Sequence, residues 1–291
     1  MEQPQTFKEF VGNEEIIDHI LGYIKNIKAK KSKIEPMLFI GLPGTGKTTL
    51  SRIIANELKF KFKEIIGADV KGRYSVPLMI RAIKQPFILS IDEIHSIEKK
   101  WMETLYPIFS DKIVFKNSID GSAIFGSTTE ISLLPAPLRS RFVYIFELGN
   151  YTIEHIKKII SNRFSLATPA LDVISRLCQL NPRQAINIAI TAMEIAKYSN
   201  ENIIDTVHVI KARKILKLNE DGLLDRQVQI LQVLKRTKFA SRSFLVSFLQ
   251  INPDYYEILE PYLIKSSLIS INSRGRFLTE EGSKYVDNLK T

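Results

Sequence analysis

The chain has 291 residues, too many for one ordinary domain of roughly 100 to 150 residues and enough for two or three. With 45% hydrophobic and 25% charged residues it can bury several cores, which excludes disordered, collagen-like and low-complexity classes. Lys plus Arg outnumber Asp plus Glu by 41 to 31, and the net charge of +10 suits a polyanionic partner without identifying one.

The N-terminal stretch Met-Glu-Gln-Pro-Gln-Thr-Phe-Lys-Glu-Phe has no basic segment followed by an apolar one, and no window approaches the ~20 apolar residues of a membrane span. The single cysteine, Cys178, sits in an apolar stretch, so neither a disulfide framework nor a cysteine-based zinc site is available. A cytoplasmic protein with no membrane partner is expected.

In chain order, Ile16, Ile17, Ile20, Leu21, Ile24 and Ile27 recur at helical spacing and predict a helix over 14–31. The lysines that close it (Lys25, Lys28, Lys30, Lys31, Lys33) read most simply as a solvated helix end, with nucleic-acid contact as the alternative. Met37-Leu38-Phe39-Ile40 is a short apolar strand, followed by a glycine-rich turn and a helix over Thr48–Leu58. Phe87–Ile91 is a second strand, ending in Asp92-Glu93, and Ser122–Gly126 a third, ending in Ser127-Thr128-Thr129. Strands alternating with helices predict an α/β domain with a parallel sheet and ligands gathered at the carboxyl ends of its strands. From Thr152 the pattern becomes helical, over Ile153–Phe164, Ala170–Leu180, Pro182–Tyr198 and Ile203–Leu216. After Asn219-Glu220-Asp221-Gly222 come short helices and then Leu268–Ile271 and Arg276–Leu278 around Asn272-Ser273-Arg274-Gly275, the pattern of a winged helix.

Gly41-Leu42-Pro43-Gly44-Thr45-Gly46-Lys47-Thr48 matches G-x-x-x-x-G-K-[ST] between a predicted strand and a predicted helix, the context of a P-loop. Its glycines let backbone N–H groups turn inward around a phosphate while the following helix aims its positive end at the same anion. Lys47 is expected to bridge the β- and γ-phosphates of ATP, and Thr48 to ligate Mg²⁺. Asp92 is placed to hold the Mg²⁺ shell and Glu93 to polarise an attacking water. Ser90 reads as a satisfied core hydroxyl and His95 as a structural residue at a helix start.

These motifs, in this order, resemble those of the AAA+ ATPases. The resemblance implies an α/β P-loop core over 1–147, a helical lid over 148–218 and a winged-helix DNA-binding domain over 219–291. It makes Ser127-Thr128-Thr129 a sensor 1 segment with Thr129 at its active position. Leu138-Arg139-Ser140-Arg141-Phe142 becomes the arginine-finger segment, with Arg141 as the finger and Arg139 as runner-up. Asn181-Pro182-Arg183 becomes sensor 2. The nucleotide, ATP or ADP, would be held by Val11, Gly12, Gly41, Pro43, Gly44, Thr45, Gly46, Lys47, Thr48, Thr49, Tyr151, Pro182 and Arg183.

More closely, the chain resembles the RuvB family of Holliday junction branch-migration motors. Phe7-Lys8-Glu9-Phe10-Val11-Gly12, Ile91-Asp92-Glu93-Ile94-His95, Pro137-Leu138-Arg139-Ser140-Arg141-Phe142 and Tyr151-Thr152 carry the likeness, as do Glu260-Pro261-Tyr262-Leu263-Ile264 and Ser273-Arg274-Gly275-Arg276. It implies a homohexameric ring, DNA-phosphate contacts from Arg274 and Arg276, and a junction-binding partner similar to RuvA. Three features depart from the family pattern, the least of them Thr45 and Leu42, which vary the loop where side chains should matter little. Residues 109–121 are shorter than the segment that carries the partner-docking hairpin in typical relatives, which puts that docking in question. Glu130 stands where relatives usually have an arginine. The alternative function is a nucleotide-dependent DNA-binding switch or loader without processive translocation; a protein-remodelling ATPase fits less well.

Overall fold

The structure, a computed structural model, describes residues 3–30, 32–111, 113, 114, 117–119 and 121–289. Lys31 of the lysine run and Lys112, Phe115, Lys116 and Asp120 of the shortened segment lie outside the described residues. The chain divides into two compact units, residues 1–159 and 160–291.

The first unit runs α1 (Glu14–Lys30), β1 (Met37–Ile40), α2 (Lys47–Leu58), β2 (Lys61–Ile66), α3 (Ser75–Ala82), β3 (Phe87–Asp92), α4 (Lys99–Met102) and α5 (Tyr106–Asp111). It continues with β4 (Ile113–Val114), β5 (Asn117–Ser118), β6 (Ala123–Thr128), α6 (Ala136–Arg139), β7 (Tyr144–Glu147) and α7 (Ile153–Ser161), the helix in which the second unit begins. Five strands pair in the order β2-β3-β6-β1-β7, and every pairing in that sheet is parallel. Both faces are covered, as a parallel sheet requires. Leu38, Leu89, Ile91 and Ile124 pack on one side, and Met37, Phe39, Ile88 and Phe125 on the other. Such two-sided burial explains why the central strands read as continuous apolar runs. Ser90 is the exception: it is fully buried, and its hydroxyl has no hydrogen-bond partner. The satisfied hydroxyl expected there is not found, because Ser90 is set into β3 between Leu89 and Ile91, opposite Phe125 of β6.

Register decides the site. Ile40 of β1 lies beside Thr128 of β6, and Ile91 of β3 beside Gly126, so the P-loop, Asp92 and sensor 1 all leave one edge of the sheet. The Gly41 N–H donates to the Thr128 carbonyl at 3.2 Å, tying the loop to the sensor strand.

In the second unit, α8 (Thr168–Leu177), α9 (Pro182–Tyr198) and α10 (Thr206–Ile215) form the lid region. The winged-helix region follows with α11 (Asp225–Thr237), α12 (Arg242–Phe248), α13 (Pro253–Lys265), the antiparallel pair β8 (Ile269–Asn272) and β9 (Gly275–Leu278), and α14 (Glu280–Asn288). Its own core includes Ile230, Leu234, Leu245, Tyr256, Leu259 and Leu263. Cys178 is buried and unpaired, and burial pushes its thiol up to about 11, which makes it an inert core residue. Among the described residues, no helix is long and apolar enough to cross a membrane.

Candidate nucleotide site and DNA-facing hairpin

At Gly46 the backbone takes a left-handed conformation, φ 93°, immediately before α2. A Cβ there would stand 2.8 Å from the Phe10 ring, so only glycine lets the loop lie this close to the N-terminal segment. Tyr151 closes the other side: its hydroxyl donates to the Thr45 carbonyl at 3.1 Å, and a Cβ on Gly12 would come within 3.2 Å of its ring. Val11 is buried beside Gly12. Thus Gly12 and Tyr151, far apart in sequence, meet beside the loop, with Val11 next to Gly12 in the chain. Asn13 strengthens the junction, its side-chain oxygen accepting from the Gly149 N–H at 2.7 Å. Phe10 and Asn13 were absent from the expected set; the aromatic spacing in Phe7-Lys8-Glu9-Phe10 was their only trace in sequence.

Inside the loop, the buried ammonium of Lys47 donates to the carbonyls of Gly41 (2.8 Å) and Leu42 (3.2 Å), and the Thr45 hydroxyl donates to the Leu42 carbonyl (2.8 Å). Pro43 and Gly44 form the turn, and Thr48 and Thr49 lie half-buried in the first turn of α2. The fit to Mg²⁺ rests on two oxygens. The Thr48 hydroxyl carries no hydrogen bond among the described residues, and Asp92 uses only Oδ1, which accepts from the Ser127 hydroxyl and the Glu93 N–H (3.2 Å). No three His, Cys, Asp or Glu side chains cluster for a metal among the described residues. That matches an ion held by one hydroxyl, one carboxylate and substrate phosphates, not by a protein cage.

Glu93 sits in the left-handed region at φ 46°, ψ 52°. Its Oε2 accepts from both the N–H and the hydroxyl of Thr129, each at 3.2 Å, which brings the sensor residue and the expected water-polarising carboxylate together. Glu130 is exposed, and its N–H donates to the Thr128 hydroxyl at 3.0 Å. Arg141 donates to the Pro137 carbonyl and stacks 4.4 Å over the Tyr106 ring, its Nε buried without a partner. Arg139 is half-buried, and its side chain makes no hydrogen bond or ion pair among the described residues. Arg183 is exposed in the first turn of α9, where Asn181 caps the helix by accepting from the Arg183 N–H at 2.9 Å and Pro182 occupies the first helical position. Arg183, expected as sensor 2, belongs to the second unit.

The two hairpin arginines part company. Arg276 makes a bidentate ion pair with Glu260 of α13, at 2.7 and 3.2 Å, and Glu260 also accepts from the Tyr256 hydroxyl at 2.7 Å. This partnership raises the Arg276 pKa and cancels its charge locally. Arg276, expected to contact phosphate, is engaged with α13, where its cation braces the hairpin. Arg274 remains exposed at the turn, 5.8 Å over the half-open ring of Phe239. Within residues 109–121, β4 and β5 pair antiparallel with two residues each.

Comparison with known proteins resolves the family. Residues 2–148 match the family described as the Holliday junction DNA helicase RuvB P-loop domain, and residues 220–287 match the RuvB C-terminal winged helix domain. The chain belongs to the RuvB family. It is 30% identical to the Holliday junction branch migration complex subunit RuvB of Mycoplasmopsis pulmonis, over 99% of this chain and 98% of that one. Against the same subunit of Mycoplasma genitalium identity is 32%, over 98% and 97%. The Thermotoga maritima RuvB Holliday junction branch migration motor superposes with a TM-score of 0.88 at 27% identity, covering 99% of both chains. RuvB membership accounts for the α/β core, the lid and the winged helix occurring in one chain.

Proposed function

We propose that this chain is an ATP-driven motor of the RuvB type that moves four-way DNA junctions in recombination and repair. The observation that carries the reading is the convergence of the P-loop, Asp92-Glu93 and Thr129 on one sheet edge, in a chain whose winged helix presents Arg274. The functional division is a core over 1–147, a lid over 148–218 and a winged helix over 219–291, acting in the cytoplasm. Val11, Gly12 and Tyr151 receive the base of ATP or ADP. The backbone of Gly41–Gly46, Lys47 and Thr49 receive the phosphates, and Pro182 and Arg183 are further nucleotide-binding residues. Thr48 and Asp92 would hold Mg²⁺, which supplies charge neutralisation between the phosphates. Glu93 orients water for attack, and Thr129 fixes Glu93.

The subunits assemble as a homohexameric ring in which Arg141 reaches the neighbour's nucleotide. Stacking on Tyr106 holds its guanidinium preformed, which suits a planar cation acting on a transferring phosphoryl group. A RuvA-like junction-binding protein is the partner, and the two-residue strands of β4 and β5 leave little hairpin for it to grip.

The reading is tested with a labelled four-way junction, Mg²⁺ and ATP, with and without such a partner. ATP-dependent conversion to duplex products is expected; nucleotide-dependent binding with no conversion in either case would favour a switch or loader. Mixing Arg141→Ala with Glu93→Gln subunits should restore part of the ATPase activity that each lacks alone, because some interfaces then combine an intact site with an intact finger. If no mixing ratio restores activity, the site is not shared between subunits.

The hairpin assignment separates two substitutions. Arg274→Ala is expected to weaken duplex binding uniformly across sequences and to lower the slope of log affinity against log salt by about 1. Arg276→Ala should instead lower the melting temperature, since it strands Glu260 half-buried beside Tyr256. Fluorescence anisotropy across a salt series, with thermal melts, distinguishes them; a full salt slope in Arg274→Ala would remove that residue from the DNA interface.

A further inference from the structure

His95 has no place in the reaction as described, yet it touches the residue that the reaction most needs oriented. The side chain is mostly enclosed, 18% exposed, in the single turn Ile94–Ser96 that follows Glu93. Its Nδ1 lies 2.8 Å from the Thr128 hydroxyl and 3.2 Å from Glu93 Oε2. With the Glu93 carboxylate 3.2 Å away, the tautomer with a hydrogen on Nδ1 is assigned, and that one N–H donates to the Thr128 hydroxyl at 2.8 Å. Glu93 Oε2 then accepts from the N–H and the hydroxyl of Thr129 and lies against the His95 imidazole of the turn. Glu93 Oε1 has no hydrogen-bond partner among the described residues.

We propose that His95 is a positioning residue for ATP hydrolysis. Its imidazole, anchored by the hydrogen bond between Nδ1 and the Thr128 hydroxyl, stands against Glu93 Oε2 so that Oε1 is the oxygen presented to the attacking water. This rests on the reading of Glu93 as the water-polarising carboxylate. Thr129 supplies both hydrogen bonds to Oε2, and a glutamate side chain with several free torsions can pivot about a grip from one residue. The imidazole on the turn limits the remaining rotation. A displacement of about 1 Å at a reacting group can cost on the order of 100-fold in rate, so loss of this contact is expected to be visible in turnover.

The test compares steady-state ATPase kinetics and fluorescent-ADP binding for the full chain with Mg²⁺, in wild type, His95→Leu, His95→Asn and Glu93→Gln. His95→Leu is expected to lower kcat by about 10-fold or more while KM and ADP affinity stay within about 2-fold. His95→Asn places an amide N–H near the position of Nδ1–H and should recover kcat to within about 3-fold of wild type. Equal losses in the leucine and asparagine variants, or a loss confined to KM, would overturn the positioning role. Unchanged kcat in His95→Leu beside an inactive Glu93→Gln would sink this proposal alone, whereas full turnover in Glu93→Gln would remove the reading of Glu93 on which it stands.

Discussion

Glu93→Gln is expected to bind ATP as tightly as wild type and to hydrolyse it roughly 10²- to 10⁴-fold more slowly, the span usual for loss of a general base. The structure explains why so small a change should do so much. The N–H and hydroxyl of Thr129 both bond Oε2, so in the variant the amide oxygen must take that place, and the amide nitrogen is turned toward the position that Oε1 held. An acceptor is replaced by a donor where a water proton has to be drawn away. Size and packing are nearly unchanged, and the nucleotide contacts of the loop do not involve this side chain, so binding should survive. Lys47→Ala is the complement. It removes a cation from the phosphate cradle itself and should lose both binding and turnover. Phosphate release and fluorescent-nucleotide titration on the two variants measure the contrast. A Glu93→Gln protein within about 10-fold of wild-type turnover would mean that water is activated by another group.

What the chain disclosed before folding followed a physical division. Local grammar was legible: the glycine turn between β1 and α2, the acidic pair ending β3, and the periodicity of α1 and α9 all matched the folded chain to within a residue or so. Edge strands were not. β2 (Lys61–Ile66) alternates charged and apolar residues with mostly exposed side chains, and β7 (Tyr144–Glu147) is equally open, so neither offers the apolar run that marks a buried strand. The short helices α3 to α6 and the terminal α14 went unassigned, having too few turns to show a period. The lid helices α7, α8 and α10 are shorter than their apolar patterns, which continue into capping turns. In the site, the residue types were readable but their pairings were not. His95 and Thr128 are 33 positions apart, Ser127 and Asp92 35, and Arg276 and Glu260 16. Such partnerships depend on which strands are neighbours, a property of β6 lying between β3 and β1 that no local pattern encodes. Arg276 shows the consequence: Arg-Gly-Arg on a hairpin looks like two equal phosphate contacts until α13 supplies a carboxylate to one of them.

Gly222→Ala should destabilise the second unit by about 3 kcal/mol or more, a fall of roughly 6 °C or more in Tm. Gly222 lies in the turn between α10 and α11 with φ 79°, where an L side chain is strained. The greater obstacle is steric. A Cβ there would stand 2.1 Å from the Leu177 carbonyl oxygen and 2.6 Å from its carbon, both backbone atoms at the end of α8. Neither side can yield cheaply, because a side-chain network fixes the gap. Gln179 Nε2 donates to the Gly222 carbonyl (2.7 Å) and to Gln227 Oε1 (2.8 Å), and the buried Gln227 in turn donates to the Leu259 carbonyl (3.0 Å). Moving Gly222 away from α8 would break the bond from the Gln179 amide to the Gly222 carbonyl, at about 1 to 3 kcal/mol. The lid region that carries Arg183 and the winged-helix region that carries Arg274 are thus joined through one crowded glycine and two glutamines, so the damage should spread across both. Hydrogen exchange should show protection lost at the end of α8 and along α11 together, while β1, β3 and β6 keep theirs. Gly72→Ala is the control: nothing lies within 4 Å of a Cβ at that position, and little change is expected. A Gly222→Ala protein melting within about 1 °C of wild type would show that α8 and this turn can separate without cost, and that the two regions are not held as one body by this contact.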